Sequence, residues 1–420
     1  MERQWEHRLP PLIIFSFMAF VIGLLMIIPD EDWLSLLVYF VVLGVFARVL
    51  YKRGIEPADP TFPSSLFLLA LILKLGGSAI RYWTGVGLYG GLADAVRYHE
   101  DGQYFAGFFR QFDFSVLDTI PQGTEGMSYL AGLLYTILPP NLPGSYFFFA
   151  TLAFTGSVFY YRAFLTAFPK SNSSLFRFII FFLPSVLFWP SSLGKDAWIF
   201  FSSSFVAYGL TQYIRQTRLS GLLVAGIGIF FVGIIRPPVA AIITLAVVIA
   251  YLVQGMRTAK QFVGGVLIVS FGFFIYQFST EYLLQSKGLP EVSWAGLQDF
   301  YQYQQQQTHA GGSRFAPIVL QTLLGPIYAV VTVLFRPFVW EANNSQVLVT
   351  AFEGILWLGL FWYRRKVFLT RIRLITKDPW IAFLVVYSIF MILSLTTIAN
   401  FGLLARQRLM FLPFLWMLFV

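Results

Sequence analysis

Three groups of residues in this sequence have side chains suited to chemistry, and each stands beside a break in an otherwise apolar chain. The first is acidic. Asp94, Tyr98 and Asp101 fall three to four residues apart in GLADAVRYHEDGQYFAGFFRQFDFSVLD, so a helix over this stretch sets them on one side. A carboxylate there can act as general base toward an acceptor hydroxyl or bind a divalent cation, Mg²⁺ or Mn²⁺. Tyr98 and His99 would offer hydrogen bonds to a substrate. The plainer alternative is a solvated face on an interfacial helix. The second group is Lys195 with Asp196 in PSVLFWPSSLGKDAW. Lys195 could neutralise a phosphate as a point charge, with Asp196 holding it in place. An ion pair capping a turn, with Asp196 at a helix N-terminus, reads as well.

The third group is arginine. Arg236 and Arg336 each precede proline at the end of an apolar run, and Arg406 and Arg408 stand in NFGLLARQR. A charge at a bilayer centre costs about 2.5–3.5 kcal/mol on insertion scales. Near a helix end the side chain can instead snorkel to the headgroups. The forked guanidinium suits phosphate and pyrophosphate. Glu341, five residues after Arg336, could pair with it or act as an acid. Glu353 falls within an apolar run and is a functional candidate by default, while Lys74 is expected to snorkel. The run Tyr301 to Gln307 with His309 reads as a mobile loop whose amides and aromatics would also suit sugar.

The elements that must position these groups are membrane helices. Only 12% of the 420 residues are charged and 57% are hydrophobic, with a mean hydropathy of +0.71. A soluble domain carries about twice that share of charge, so a water-facing surface cannot be built from this chain. Apolar runs of spanning length cover 11–28, 33–51, 63–80, 144–161, 175–190, 197–213, 219–235, 238–254, 260–278, 316–335, 346–363, 380–398 and 405–420. With a shorter stretch at 127–140, the expectation is an all-α polytopic protein with about 13–14 transmembrane or re-entrant helices. Residues 1–420 read as a single multi-pass domain, and 11–28 reads as a retained first helix.

The net charge of +9 comes mainly from basic residues between apolar runs, as expected for loops against an anionic leaflet, so nucleic acid is not an expected partner. Basic clusters at 48–53, 162–177, 215–218, 257–260 and 364–377 mark the cytoplasmic side. Counting back from 364–377 then puts Lys195, Arg236, Arg336 and the pair Arg406 and Arg408 on the opposite face. Two long loops, 81–126 with an interfacial amphipathic helix and 279–315, are expected on that face too. The positive-inside bias should deplete this side of cations, so their retention suggests an anion-binding groove.

Several chemistries are excluded. There is no cysteine, hence no disulfide, thiolate nucleophile or Cys-based metal site. The three histidines are scattered, and no P-loop, dinucleotide fingerprint or HExxH motif occurs. Any donor must carry its own activation. Scattered tryptophans near span ends (Trp33, Trp83, Trp189, Trp380) read as interfacial anchors.

The order of elements resembles the polytopic GT-C-type glycosyltransferases and the related Wzy-like polysaccharide polymerases. The resemblance rests on an early extracytoplasmic loop with an acidic residue, Asp94, then GTEGMSYLAGLLYTILPP, then PSVLFWPSSLGKD, then arginines at span ends and the tail NFGLLARQR. It implies a transferase in the cell (inner) membrane with its active face extracytoplasmic. The donor would be a polyprenyl-phosphate-linked sugar and the acceptor a glycan or lipid-linked glycan. Asp94 would be base or metal ligand, and Lys195, Arg236 and Arg336 would bind the carrier phosphate. The family's paired acids at the first site are absent, Glu100-Asp101 being the nearest equivalent. A transporter or flippase of lipid-linked oligosaccharide is the alternative, with inverted repeats as its usual mark; none is detectable here.

Overall fold

The computed structural model describes residues 33–420 apart from 89, 91, 92, 117–121, 256, 257, 288–293, 310, 311, 317 and 319–321. The expected span at 11–28 lies outside the described residues. The protein is an all-α polytopic helical protein, and among the described residues there is no strand. Six helices are long and apolar enough to cross a membrane. With no water in a bilayer core, a spanning segment must satisfy its own backbone groups, which is why the apolar runs fold as helices.

The helices are α1 (Trp33–Leu50), α2 (Ser64–Tyr82), α3 (Asp94–Phe109), α4 (Gly123–Ile137), α5 (Leu142–Ala167), α6 (Ser173–Phe182), α7 (Pro184–Phe188), α8 (Lys195–Gln216) and α9 (Leu219–Ile235). They continue as α10 (Pro237–Gln254), α11 (Ala259–Lys287), α12 (Trp294–Thr308), α13 (Gly325–Phe335), α14 (Ser345–Ile372), α15 (Pro379–Leu395), α16 (Phe401–Gln407) and α17 (Leu412–Trp416). Wider π-helical turns extend α1 over Tyr51–Ile55 and α2 over Trp83–Leu88. On α1 the buried stripe is Ser35, Leu36, Tyr39, Leu43 and Ala47, while Leu34, Leu37, Val41, Val45 and Val49 face outward. A helix apolar on both faces belongs in lipid, packing one stripe on protein and offering the other to hydrocarbon.

Contacts divide the chain into two compact units, Met1–Leu165 with Phe178–Ser204 and Thr166–Arg177 with Phe205–Val420. In the first, α3 and α4 form a tight pair. A Cβ on Gly102 would lie 2.7 Å from the Cβ of Ala131, and one on Gly132 would lie 2.8 Å from that of Phe105. Only glycine permits this approach. The apolar face of α3 (Ala95, Tyr98, Gly102, Ala106, Phe109) is therefore buried. At 16 and 15 residues, α3 and α4 each span about 23 Å, short of the ~30 Å hydrocarbon core.

A second feature of this unit is the break at α7. Pro190 has no N–H, so the Val186 carbonyl loses its helical donor. Lys74 of α2 supplies one, its Nζ 2.7 Å from that oxygen, and is 1% exposed. Lys74 therefore points into the protein and caps a broken helix, where snorkelling was expected.

In the second unit α10 packs against α9, α11 and α15, and α13 against α14. The Phe335 carbonyl stands 2.5 Å from where a Cβ of Gly354 would be, so α14 needs glycine at that crossing. The glutamine run expected as a loop is helix α12. Glutamine is a fair helix former, and one edge of α12 is tied down. Tyr301 donates to the Ile318 carbonyl at 3.0 Å, Gln305 to the Ile318 and Thr396 carbonyls at 3.0 and 3.2 Å, and Thr308 to the Thr397 carbonyl at 3.1 Å. Backbone bonds from Phe315 to Ala399 and from Phe401 to Ser313 complete the seam. The expected long loop 279–315 is thus largely helical, α11 running on to Lys287.

Candidate functional site

The first unit holds two sets of polar contacts, one at the end of α2 with Tyr146 and Asp94 and one joining the starts of α4 and α8. Arg81, in the last turn of α2, lies over the rings of Phe188 and Trp189 at 5.2 and 5.0 Å. Trp189 is thus a cation platform, 6% exposed, rather than an interfacial anchor. The Tyr146 hydroxyl sits 3.3 Å from where a Cβ of Gly85 would be and within electrostatic reach of Arg81 and Asp94. Lys195, the first residue of α8, donates to Thr124 Oγ1 at 2.9 Å, joining the start of α8 to the start of α4.

Helix α3 (16 residues) begins at the first set, and α4 and α8 (15 and 22 residues) begin at the second. Helix starts and their dipoles favour negative charge, as do Arg81 and Lys195. Asp94, on the first turn of α3, is exposed. Each set favours an anion, and exposed Asp94 lies within electrostatic reach of Tyr146 in the first.

The remaining acidic-helix residues have structural partners. Tyr98 is 1% exposed. Asp101 accepts from Ser128 Oγ at 2.8 Å and has Arg97 at 3.7 Å. His99 places Nδ1 2.6 Å from the Tyr135 hydroxyl and Nε2 2.7 Å from the Gln103 amide nitrogen. Burial lowers the His99 pKa from its ordinary value, and the bond to Tyr135 ties α3 to α4. Among the described residues no group of three or more His, Asp or Glu side chains could hold a metal ion. Asp94 and Asp101 are seven residues apart, about 10 Å along the helix, and Asp101 is engaged. These residues do not form a ligand set for Mg²⁺ or Mn²⁺.

The second unit holds the other predicted cations, and most of them bind the protein itself. The Arg336 guanidinium forks onto Glu341, with Nε 3.0 and 3.1 Å from the two carboxylate oxygens and Nη2 on Oε1. Phe315 and Phe401 lie 5.1 Å from it, with Tyr328 at 5.6 Å. Burial alone would lower the arginine's pKa, but the bond and charge of Glu341 turn the shift upward. For Glu341, burial raises the pKa while Arg336 and the Phe338 N–H together lower it further. Arg236 donates to Gln407 Oε1 at 2.6 Å. Arg408, 1% exposed, donates to the Arg336 and Leu334 carbonyls at 3.1 and 3.4 Å, capping the end of α13, with Glu353 in electrostatic range. Glu353 accepts from Trp357 Nε1 at 3.2 Å. Arg406 lies half-buried on α16, and Asp196 half-buried on the first turn of α8.

Sequence reasoning singled out Asp94 and Lys195 but missed Arg81, Thr124 and Tyr146. Arg81 stands one residue past an apolar run and reads as a flanking charge, and Thr124 and Tyr146 are ordinary residues of their helices. The available signal was Trp189, in a Ser- and Pro-rich turn two residues from Ser191.

No protein-family model matches this chain, and no curated protein or solved structure shows a significant similarity to it.

Proposed function

We propose that this protein is a membrane-embedded glycosyltransferase or polysaccharide polymerase that takes sugar from a polyprenyl-phosphate-linked donor. The reading is supported by exposed Asp94 at the start of α3, with Tyr146 in electrostatic reach of both Asp94 and Arg81, and by Lys195 joining the starts of α4 and α8 in the same unit. In this mechanism the acceptor hydroxyl oxygen attacks the anomeric carbon while the bond from that carbon to the carrier phosphate oxygen breaks. Asp94 takes the hydroxyl proton. The phosphate leaves with the bonding electrons, its charge held by Lys195, Arg81 and the helix starts. Tyr146 lies within electrostatic reach of both Asp94 and Arg81. The active face is extracytoplasmic in this reading, following the basic loops.

The arginines of the second unit have a smaller part in it than their sequence positions suggested, because Arg336 already holds a carboxylate. Deleting the gene and comparing lipid-linked glycans by mass spectrometry tests the assignment. Accumulation of single repeat units on the carrier, with loss of long polymer, marks a polymerase. Loss of one defined sugar marks a single-sugar transferase. Units trapped on the cytoplasmic leaflet would contradict both and indicate a transporter.

A further inference from the structure

The second unit carries an apolar groove of about 340 Å³ between α9, α10 and α11. Leu223, Gly226, Phe230, Val247, Leu267 and Phe271 form its walls. Its one polar residue, Thr244, donates its hydroxyl to the Ala240 carbonyl at 2.8 Å. The hollow exists because α9 has glycine at its centre, where a Cβ on Gly226 would meet nothing within 4 Å. Both α10 and α11 are long and apolar enough to span a bilayer, so the groove opens onto hydrocarbon.

Any hollow in that surface would touch lipid, but two observations make this one selective. Helices α9 and α11 run in the same direction, since α10 returns between them, and both begin at the same end of the unit. A cation stands at each start, Arg218 at the N-cap of α9 and Lys260 on the first turn of α11. Both are exposed, and neither pairs with a carboxylate among the described residues. Arg215, nearby on α8, is matched to Asp378 at 2.8 Å. The groove lies about 6–18 Å along α9 from Arg218 and about 10–17 Å along α11 from Lys260. That is the depth of one leaflet's chains, roughly half of a 30 Å core.

We infer that this groove and its two cations form a binding site for an anionic phospholipid, its phosphate between Arg218 and Lys260 and one acyl chain along Gly226. The cations and two helix N-termini supply the charge that recognises the headgroup, and the glycine supplies the room for the chain. The site does not depend on the transferase reading.

Native mass spectrometry of the purified full chain, offered equimolar phosphatidylglycerol and phosphatidylcholine with matched acyl chains, tests it. The wild type should retain phosphatidylglycerol preferentially. Arg218→Gln with Lys260→Gln should reduce that preference by about fivefold per cation. Gly226→Phe should remove one bound lipid, while Ile355→Phe, at an outward-facing site on α14, should leave the count unchanged. Size-exclusion profiles matching wild type keep the variants comparable. Equal retention of the two lipids, or an unchanged count in Gly226→Phe, would overturn the site. So would polyprenyl phosphate, added as a third competitor, displacing the phosphatidylglycerol from the wild type and not from Gly226→Phe.

Discussion

Asp94 and Asp101 are both acidic residues on one helix, yet their surroundings separate their roles. Asp94 is exposed at a helix start beside Tyr146 and Arg81, whereas Asp101 is tied to Ser128 on α4. Replacing Asp94 by Asn should lower transfer by about 10²–10⁴, the usual contribution of a general base, without changing how much protein reaches the membrane. Quantitative immunoblotting beside glycan analysis checks both parts. The Arg336–Glu341 pair makes a different prediction, about stability. The folded-state pKa of Glu341 lies below its ordinary value, so the unfolded chain binds the proton more readily. The stabilisation is present above the unfolded carboxyl pKa, ~4.3, and is lost as pH falls through the lower folded value. In detergent, wild type should melt above Glu341→Gln at pH 7, and the gap should close as pH falls below about 4. A gap that persists at low pH would mean that the pair contributes nothing through ionisation.

At the scale of elements, the α3–α4 crossing and the α7 break are the points where single residues decide the packing of the first unit. Gly102→Val would force a side chain to within 3 Å of Ala131, and overpacking of this kind costs about 1–3 kcal/mol. Gly107→Ala on the same helix meets nothing within 4 Å and should be neutral or stabilising by up to about 1 kcal/mol. Thermal melting of the two variants separates a packing requirement from a general intolerance to losing glycine. Lys74→Met should also destabilise, by about 1–3 kcal/mol, because it leaves the Val186 carbonyl buried without a donor. A melting temperature equal to wild type would show that carbonyl to be satisfied in another way.

The elements themselves were largely legible in the sequence, because apolar runs in lipid have few options other than helix. Runs 33–51, 63–80, 219–235 and 238–254 match α1, α2, α9 and α10 closely. What the runs could not reveal was how polar groups answer one another across the chain. Lys74 meets a carbonyl 112 residues away, and Arg81 meets Trp189, so neither role has a local signature. The glutamine run lacks apolar periodicity, and its helix is held by hydrogen bonds from Tyr301, Gln305 and Thr308 to distant carbonyls. The engagement of Arg336 by Glu341 was one of two readings left open, since five residues of spacing suit a pair as well as an acid.

For the molecule as a whole, composition alone already restricts the chemistry. A chain with 12% charged residues and a net charge of +9 must hold most of its surface in hydrocarbon and leave its cations at the boundaries. The proposed function rests on a few charged groups in the first unit, Asp94, Arg81 and Lys195, that stand at helix ends. The most direct test expresses wild type, Asp94→Asn and Asp101→Asn in cells lacking the gene and measures lipid-linked and polymeric glycans by mass spectrometry. The account predicts that wild type and Asp101→Asn restore the glycan, while Asp94→Asn, present in equal amount, leaves the lipid-linked donor unconsumed. Full restoration by Asp94→Asn would contradict the central claim.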